Sequence, residues 1–556
     1  MQPLVDELLA GWFRHYPVLA TELGNHDHDG EWPDLSHEGH GQRLSFLRDV
    51  EARVTALDPG SLTADEQIDR RILLENIAAA RFGEETLRED TWSPLSYVYL
   101  FGGGLFGLLS REFAPLPDRL RSAATRLRGL PTALDQARLT LEAGGPRPVS
   151  AFHTEKAIKT IGGVADLART AAAESEGLED AALATEVREA ADRAVEAVEA
   201  FHDWLRDDLS PRATGGFRLG ADLYAEKFRH ALKTDLTPDE LEQRATSAFA
   251  QVRAEMVRLA RELWADWVGD EPMPEAERDL VARVLDAISA DHPGAAELLD
   301  FCRAENQRIE AFVREHDLVG LADEPLQIIW TPPFLRAFGG AMLIPPGPLD
   351  KGLDSFFAIT PPPDDWTDEQ VESMLREDNA RMLRLLTIHE AVPGHYLQLA
   401  YSNRTDSLVR SIFQSGVFAE GWAVYVTQVM MDVVYGGDDP ALMLVHWKFY
   451  LRAITNTMMD IGIHAGEMDE EDAMRLMVEG GWQERSEATE KWSRARLSST
   501  QLCEYYLGFV EMTELEAEAR RRAQADGGEF AYRPFLESVL AHGTPSTPVI
   551  REILFG

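Results

Sequence analysis

The sequence predicts a mainly α-helical protein, a large helical bundle in two halves around a cleft, with a small β-sheet just before the helix that carries the chemistry. Three observations predict it. Apolar residues recur at helical spacing almost throughout, and the long runs begin with capping signals. One stretch, from Pro325 to Pro363, breaks that period with short β-prone runs set between Pro and Gly. The length of 556 residues exceeds one typical domain and permits a large buried core, so two halves around a cleft are expected.

The opening "MQPLVDELLAGWFRHYP" lacks a basic leader and a small-residue cleavage pattern, so no signal peptide is expected. In "SLTADEQIDRRILLENIAAARF", Thr63 and Glu66 have capping-box spacing ahead of an apolar stripe. The run "WSPLSYVYLFGGGLFGLL" is too broken by glycine for a membrane span and reads as a buried loop and helix start. Pro and Gly in "SPRATGGFRLG" interrupt two long helical regions. The chain is therefore divided there, into an N-terminal helical half, 1–215, and a half carrying the candidate site, 216–556. The helix beginning "DLTPDELEQ" has Thr237 as cap, Pro238 at its first position and Glu240 to close the box. Strands are expected at Gln327–Trp330, Ala341–Ile344 and Ser355–Thr360. An edge strand there can pair with an extended peptide backbone. "WTDEQVESMLREDNARMLRLLTIHEAV" repeats the capping device with Thr367 and Gln370, and predicts one helix of roughly 25 residues with His389 and Glu390 in its last turn. No solenoid-length repeat or long low-complexity tract interrupts this order.

A formal charge of −41 speaks against nonspecific binding to nucleic acid or to an anionic membrane. Two cysteines, Cys302 and Cys503, supply neither a disulfide framework nor a thiolate cluster, so a reducing, cytoplasmic compartment is the default. Nothing in the chain sets an oligomeric state.

The chemistry concentrates in "TIHEAVPGHYLQ". Zinc-binding helices often pair two histidines four apart, with a glutamate next to the first. Here His389 and Glu390 begin that pattern, but the next histidine is His395, six positions on. Six helical residues advance ~9 Å and rotate ~240°, which sends the two rings to different faces. Two nitrogens on one zinc ion must lie within about 3.5 Å of each other. The helix must therefore fail between them. Pro393 has no N–H, Val392 is pushed from helical dihedrals, and Gly394 accepts almost any backbone conformation. Read as a two-residue insertion in His-Glu-x-x-His, Pro393-Gly394 bulges out, and helix resumes at His395. A third ligand is then needed, with the fourth position left to water. Glu420, in the apolar setting of "GVFAEGWAVYVTQVMMDVVY", is the candidate, since a charge in such surroundings needs a partner or a metal. Zinc is the expected cofactor, and manganese or cobalt also suits nitrogen and carboxylate donors.

In such a site Glu390 is the general base, and a donor must face the developing oxyanion. Tyr505 is the first candidate and His464 the second. Asp460 lies four residues before His464 and is expected to orient its imidazole. Arg336 and Arg452 are candidates to hold a substrate carboxylate. His26, His28, His37 and His40 crowd one N-terminal loop, where a second metal site competes with a polar loop lacking a regular ligand face.

"HEAVPGHYLQ" followed by "AEGWAVY" resembles the signature of a large bacterial domain-of-unknown-function family, usually treated as zinc metallopeptidases. "YPVLATELGNHDHDGEWPDLS", "GGFRLGADLYAEKFRHAL", "MMDIGIH" and "AHGTPSTPVIREIL" extend the resemblance over most of the chain. It implies a mostly helical body around a deep channel or cleft, similar to gluzincin-type oligopeptidases and carboxypeptidases. It carries over His389, His395 and Glu420 as metal ligands and Glu390 as base. The implied substrate is a short peptide, with a non-peptide amide or a metal-free binding role as alternatives. One departure stands out. Where the family has Pro-Gly before its Gln-Ala segment, this chain has Ser499-Thr500, although Gln501, Tyr505 and Gly508 match. Gln501 joins the substrate-binding candidates on that match.

Overall fold

The computed structural model describes all residues except 333–335, 337–339 and 364. It is mainly helical, with one three-stranded sheet among the described residues. The chain divides into two compact units, residues 1–218 with 346–353, and residues 219–345 with 354–556.

In the first unit, α1 (Ala64–Phe82) opens on the expected capping box of Thr63 and Glu66. The glycine-rich run forms α2 (Pro94–Ser110), a whole helix rather than a loop and helix start, and it buries Leu95, Phe101, Leu105 and Leu108. None of the described helices is long and apolar enough to cross a membrane. The fully buried Arg126, on α3 (Leu116–Ala143), replaces water with the carbonyls of Pro17, Glu31 and Gly104. That hydrogen bonding is what makes a buried guanidinium tolerable.

In the second unit, α4 (Pro238–Trp267) carries the box of Thr237 and Glu240, with Pro238 at its first turn. The three strands fall within a residue of expectation: β1 (Leu326–Trp330), β2 (Ala341–Ile344) and β3 (Ser355–Ile359). Their order is β1-β3-β2, with β1 parallel and β2 antiparallel to the central β3, so β2 is an edge. Ile328, Phe357 and Ile359 of the sheet pack with Leu383 and Ala391 of the motif segment in one apolar cluster. That packing fixes β2 beside the histidines.

The single long helix expected over this segment is two, α5 (Asp368–Glu377) and α6 (Ala380–Glu390). Thr367 and Gln370 cap the first as expected. The break comes at Asn379, whose side-chain oxygen accepts from the N–H groups of Arg381 and Met382. An asparagine cap of this kind competes with continued helix, and the Ala380 N–H is meanwhile drawn to the Asp291 carbonyl. Four further helices complete the surroundings of the motif: α7 (His395–Ser402), α8 (Gly416–Asp432), α9 (Pro440–His464) and α10 (Arg485–Leu497), followed by α11 (Glu504–Ala525).

Candidate metal centre

Helix α6 stops at Glu390 and α7 starts at His395, so the regular backbone fails over the four residues where Pro393 and Gly394 sit. Ala391 leaves helical dihedrals with φ −102° and ψ −104°. The Gly394 N–H folds back to the Ile388 carbonyl at 3.0 Å. A Cβ on Gly394 would lie 1.9 Å from the His389 carbonyl oxygen, so no other residue fits this turn. The Pro393 carbonyl accepts from the indole N–H of the fully buried Trp422, at 2.8 Å. That bond pins the insertion to α8, the helix that also carries Glu420.

The excursion reorients His395. The His389 and His395 rings stand 4.7 Å apart between centroids at 87°. Glu420 Oε2 lies 3.8 Å from His389 Nε2 and 3.4 Å from His395 Nε2. One donor atom from each of the three residues falls within 4.8 Å of the others. Two donors at zinc bond length in a tetrahedron stand about 3.4 Å apart. The Glu420 Oε2 atom is shut off from solvent and makes no regular hydrogen bond. A buried carboxylate oxygen in that condition is costly, and a cation between it and two imidazoles relieves the cost. The residues therefore fit a divalent metal.

A second close approach sets the other side of the site. A Cβ on Gly421 would lie 2.4 Å from Gly508 Cα. Helices α8 and α11 thus meet backbone to backbone, which brings Tyr505 to Glu420. Burial pulls the Glu420 pKa up, but His395 first, then His389 and the Tyr505 hydroxyl, outweigh it and the pKa is lowered. Burial and the Glu420 charge push the Tyr505 hydroxyl up to about 12.

Charge states follow from burial and neighbours. Burial, then the His395 charge, drives His389 down to about 3, which leaves a neutral imidazole suited to a metal. For His395 burial pulls downward, but the Glu420 carboxylate outweighs it and the pKa is raised. Burial raises Glu390, although His395 opposes the rise, and its Oε2 accepts from the Leu343 N–H at 3.0 Å. Glu390 is thereby tied to the edge strand β2.

These groups face one cavity of about 470 Å³, lined by Ala341, Met342 and Leu343 of β2, by His389, Glu390, His395 and Glu420, and by residues of α9, α10 and α11. Arg452 lines it, with its NH2 group already held by Glu377 and, at 3.1 Å, by Glu487. Gln501 does not line it. Its amide accepts from Arg494 at 2.9 Å and faces the Tyr505 hydroxyl at 3.4 Å, so it supports that hydroxyl.

Three expectations need correction. His464 is buried away from the cavity, with Nε2 donating to the Ala495 carbonyl at 2.8 Å and the ring stacked on Tyr224. Asp460 does not orient it. That carboxylate accepts from the Tyr224 hydroxyl at 2.7 Å and from the N–H groups of Thr500 and Leu502 at 2.9 and 3.3 Å. The turn leading to Tyr505 claims it because Thr500 has φ +73°, a conformation a β-branched residue rarely adopts. This is the position where the resembling family carries Gly, and Asp460 holds the Thr500 N–H in place. Arg336 is exposed, donates to the Thr331 carbonyl at 3.1 Å and does not line the cavity.

Sequence reasoning missed Phe449, Asn456, Lys491 and Arg494, which also line the cavity. Phe449, Arg452, Ala453 and Asn456 share one face of α9 by their spacing, a signal that gains meaning only once Phe449 is seen edge-on to His389 at 5.6 Å. Glu504, beside Tyr505, was also missed. Burial, then the Glu420 charge, lifts its carboxyl to about 8.

A family model described as "Bacterial protein of unknown function (DUF885)" matches residues 17–554. A solved structure of a candidate lipoprotein of unknown function from Shewanella oneidensis is 30% identical, with a TM-score of 0.86 over 100% of this chain and 99% of that one. A candidate lipoprotein from Colwellia psychrerythraea shares the fold at a TM-score of 0.82 and 16% identity, over 99% of this chain and 98% of that one. No protein with a curated functional description matches.

Proposed function

The chain belongs to this bacterial family of unknown function, and we propose that it is a metal-dependent hydrolase, a zinc peptidase acting on short peptides. The observation that carries the reading is the convergence of His389, His395 and Glu420 to within 4.8 Å, achieved by breaking a helix. Zinc held there supplies a Lewis acid for the scissile carbonyl and an acidified water.

The chain's own residues do the rest. Glu390 accepts a proton from the attacking water and delivers it to the leaving amine as the C–N bond breaks. Its orientation is fixed by the Leu343 N–H. The Tyr505 hydroxyl, next to Glu420, donates to the oxyanion that forms on the carbonyl carbon. Edge strand β2 favours a peptide over another amide. The Thr360 N–H bonds the Gly340 carbonyl, and that register turns the N–H and carbonyl of Ala341 and the carbonyl of Leu343 away from β3, the Leu343 N–H being held by Glu390. An extended peptide can add there as a further strand.

The Shewanella relative is described as a candidate lipoprotein, which argues for an envelope setting over the cytoplasmic one expected from cysteine content. Metal analysis together with a peptide-library digest tests the function. The expected result is close to one zinc per chain and cleavage of short peptides. Protein that binds no zinc when zinc is supplied would instead be a helical binding protein with only the shape of the site.

A further inference from the structure

Beyond the three metal-site donors, the cavity wall carries three basic side chains, Arg452, Lys491 and Arg494, in a chain of net charge −41. Arg452 and Lys491 line it and are partly neutralised from behind. Glu377 and Glu487 hold the Arg452 NH2 group, and Lys491 lies 3.5 Å from Glu487 and 3.3 Å from the Gln483 amide oxygen. Arg494 differs. It lines the same cavity, is exposed, pairs with no carboxylate among the described residues, and donates to neutral Gln501 and Tyr505. Asn456 lines the wall beside it. A guanidinium on a cavity wall without a protein anion marks the place of an anionic ligand group.

Distance says what that ligand is. Phe449 stands against His389. Along α9, Arg452 is ~4.5 Å and Asn456 ~10 Å further on. An extended peptide covers ~3.3 Å per residue. A group bound by Arg452, Asn456 and Arg494 is therefore one to three residues from the bond at the metal site. Guanidinium donors and an amide suit a carboxylate.

We propose that Arg494, with Arg452 and Asn456, forms a subsite for the free C-terminal carboxylate of a peptide, so that the enzyme is an exopeptidase releasing one to three residues from that end. This deepens the peptidase reading and rests on it.

The test uses N-acetylated peptides of four to eight residues without acidic side chains, each with a free or an amidated C-terminus, and the zinc-loaded protein. Free peptides are expected to show kcat/KM about 10- to 100-fold above their amides, with products of one to three residues. In Arg494→Gln the ratio of free to amidated falls towards one, and Arg494→Lys restores part of it. Equal rates for free and amidated peptides in the parent overturn the subsite while leaving a peptidase. An amidated peptide ending in Glu that matches the free one assigns the pocket to side-chain carboxylates and overturns exopeptidase action. If no peptide is cleaved, the function proposed above fails on its own. Calorimetry with Glu390→Gln then still decides the subsite, because a free peptide binding no tighter than its amide removes it.

Discussion

In the N-terminal unit His26 lies between two carboxylates, with Nδ1 3.0 Å from Asp29 Oδ2 and Nε2 3.1 Å from Asp350 Oδ1, and its ring stacks on Phe113 at 3.7 Å. In the other unit His389 and His395 share one carboxylate, Glu420, at 3.8 and 3.4 Å. The charge state of the imidazoles separates the two. His26 has two anions and both ring nitrogens engaged. Burial pulls its pKa down, yet hydrogen bonds to Asp29 and Asp350 overcome this and raise it to about 9. The cation that satisfies that cluster is the imidazolium itself. At the second cluster only His395 is raised, by Glu420, and burial holds His389 neutral. That neutral imidazole, beside a buried carboxylate oxygen without a hydrogen bond, has a lone pair to offer a cation from outside. Histidine–carboxylate proximity thus reads as an ion pair when every imidazole is held as the cation, and as a metal site when a buried imidazole is left neutral.

The sharpest way to break this contrast is to ask which cluster does chemistry. Glu390→Gln keeps all three donors and removes the proton acceptor. Its kcat on a cleaved peptide should fall about 10²- to 10⁴-fold, with zinc content unchanged in metal analysis. Unchanged turnover would remove Glu390 from the reaction.

Next in size is the metal's own contribution to stability. Zinc supplied at about 100 times its Kd should raise the unfolding free energy by about 2.7 kcal/mol. Denaturation with and without zinc should show this gain in the parent and in His26→Gln, but not in His395→Ala. A gain lost in His26→Gln would put metal at the N-terminal cluster and collapse the distinction.

How far these clusters were legible in the sequence depends on what makes them. Capping boxes at Thr63, Thr237 and Thr367 were readable because they are local, three-residue chemistry, and each formed. The strands were readable from Pro and Gly punctuation. The insertion at Pro393-Gly394 was readable because two residues that refuse helix stand together. A strong apolar period running across Asn379 hides its cap. The i,i+4 spacing pairs Asp460 with His464, and spacing does not reveal that Thr500, forty residues later, has a stronger claim. Arg494, Asn456 and Asp350 owe their places to tertiary approach, which leaves no local mark.

Smaller in effect is the close approach that seats Glu420 by Tyr505. Gly421→Ala places a Cβ against Gly508 Cα. Overpacking of this kind costs about 1–3 kcal/mol and should separate α8 from α11. Chemical denaturation should register the loss, and zinc affinity should fall with it, because Glu420 rides on α8. No comparable change is expected at His26, whose bonds to Asp29 and Asp350 lie in the other unit.

The smallest expected effect belongs to that N-terminal ion pair, and it depends on pH. The folded pKa of His26 is raised to about 9, above an unfolded value near 6.5. Its contribution is therefore complete below about pH 6.5 and lost as pH rises through about 9. With 28% of the His26 side chain exposed, solvent screening reduces the contribution to about 1 kcal/mol. The difference in unfolding free energy between the parent and His26→Gln should be near that value at pH 6 and vanish by pH 10. Groups away from His26 titrate alike in both proteins and cancel in the difference, so what remains reports the imidazolium and its contacts. A difference that stayed constant across this range would mean that His26 acts by packing on Phe113 and not by charge, and the two clusters would no longer be separated by where their positive charge comes from.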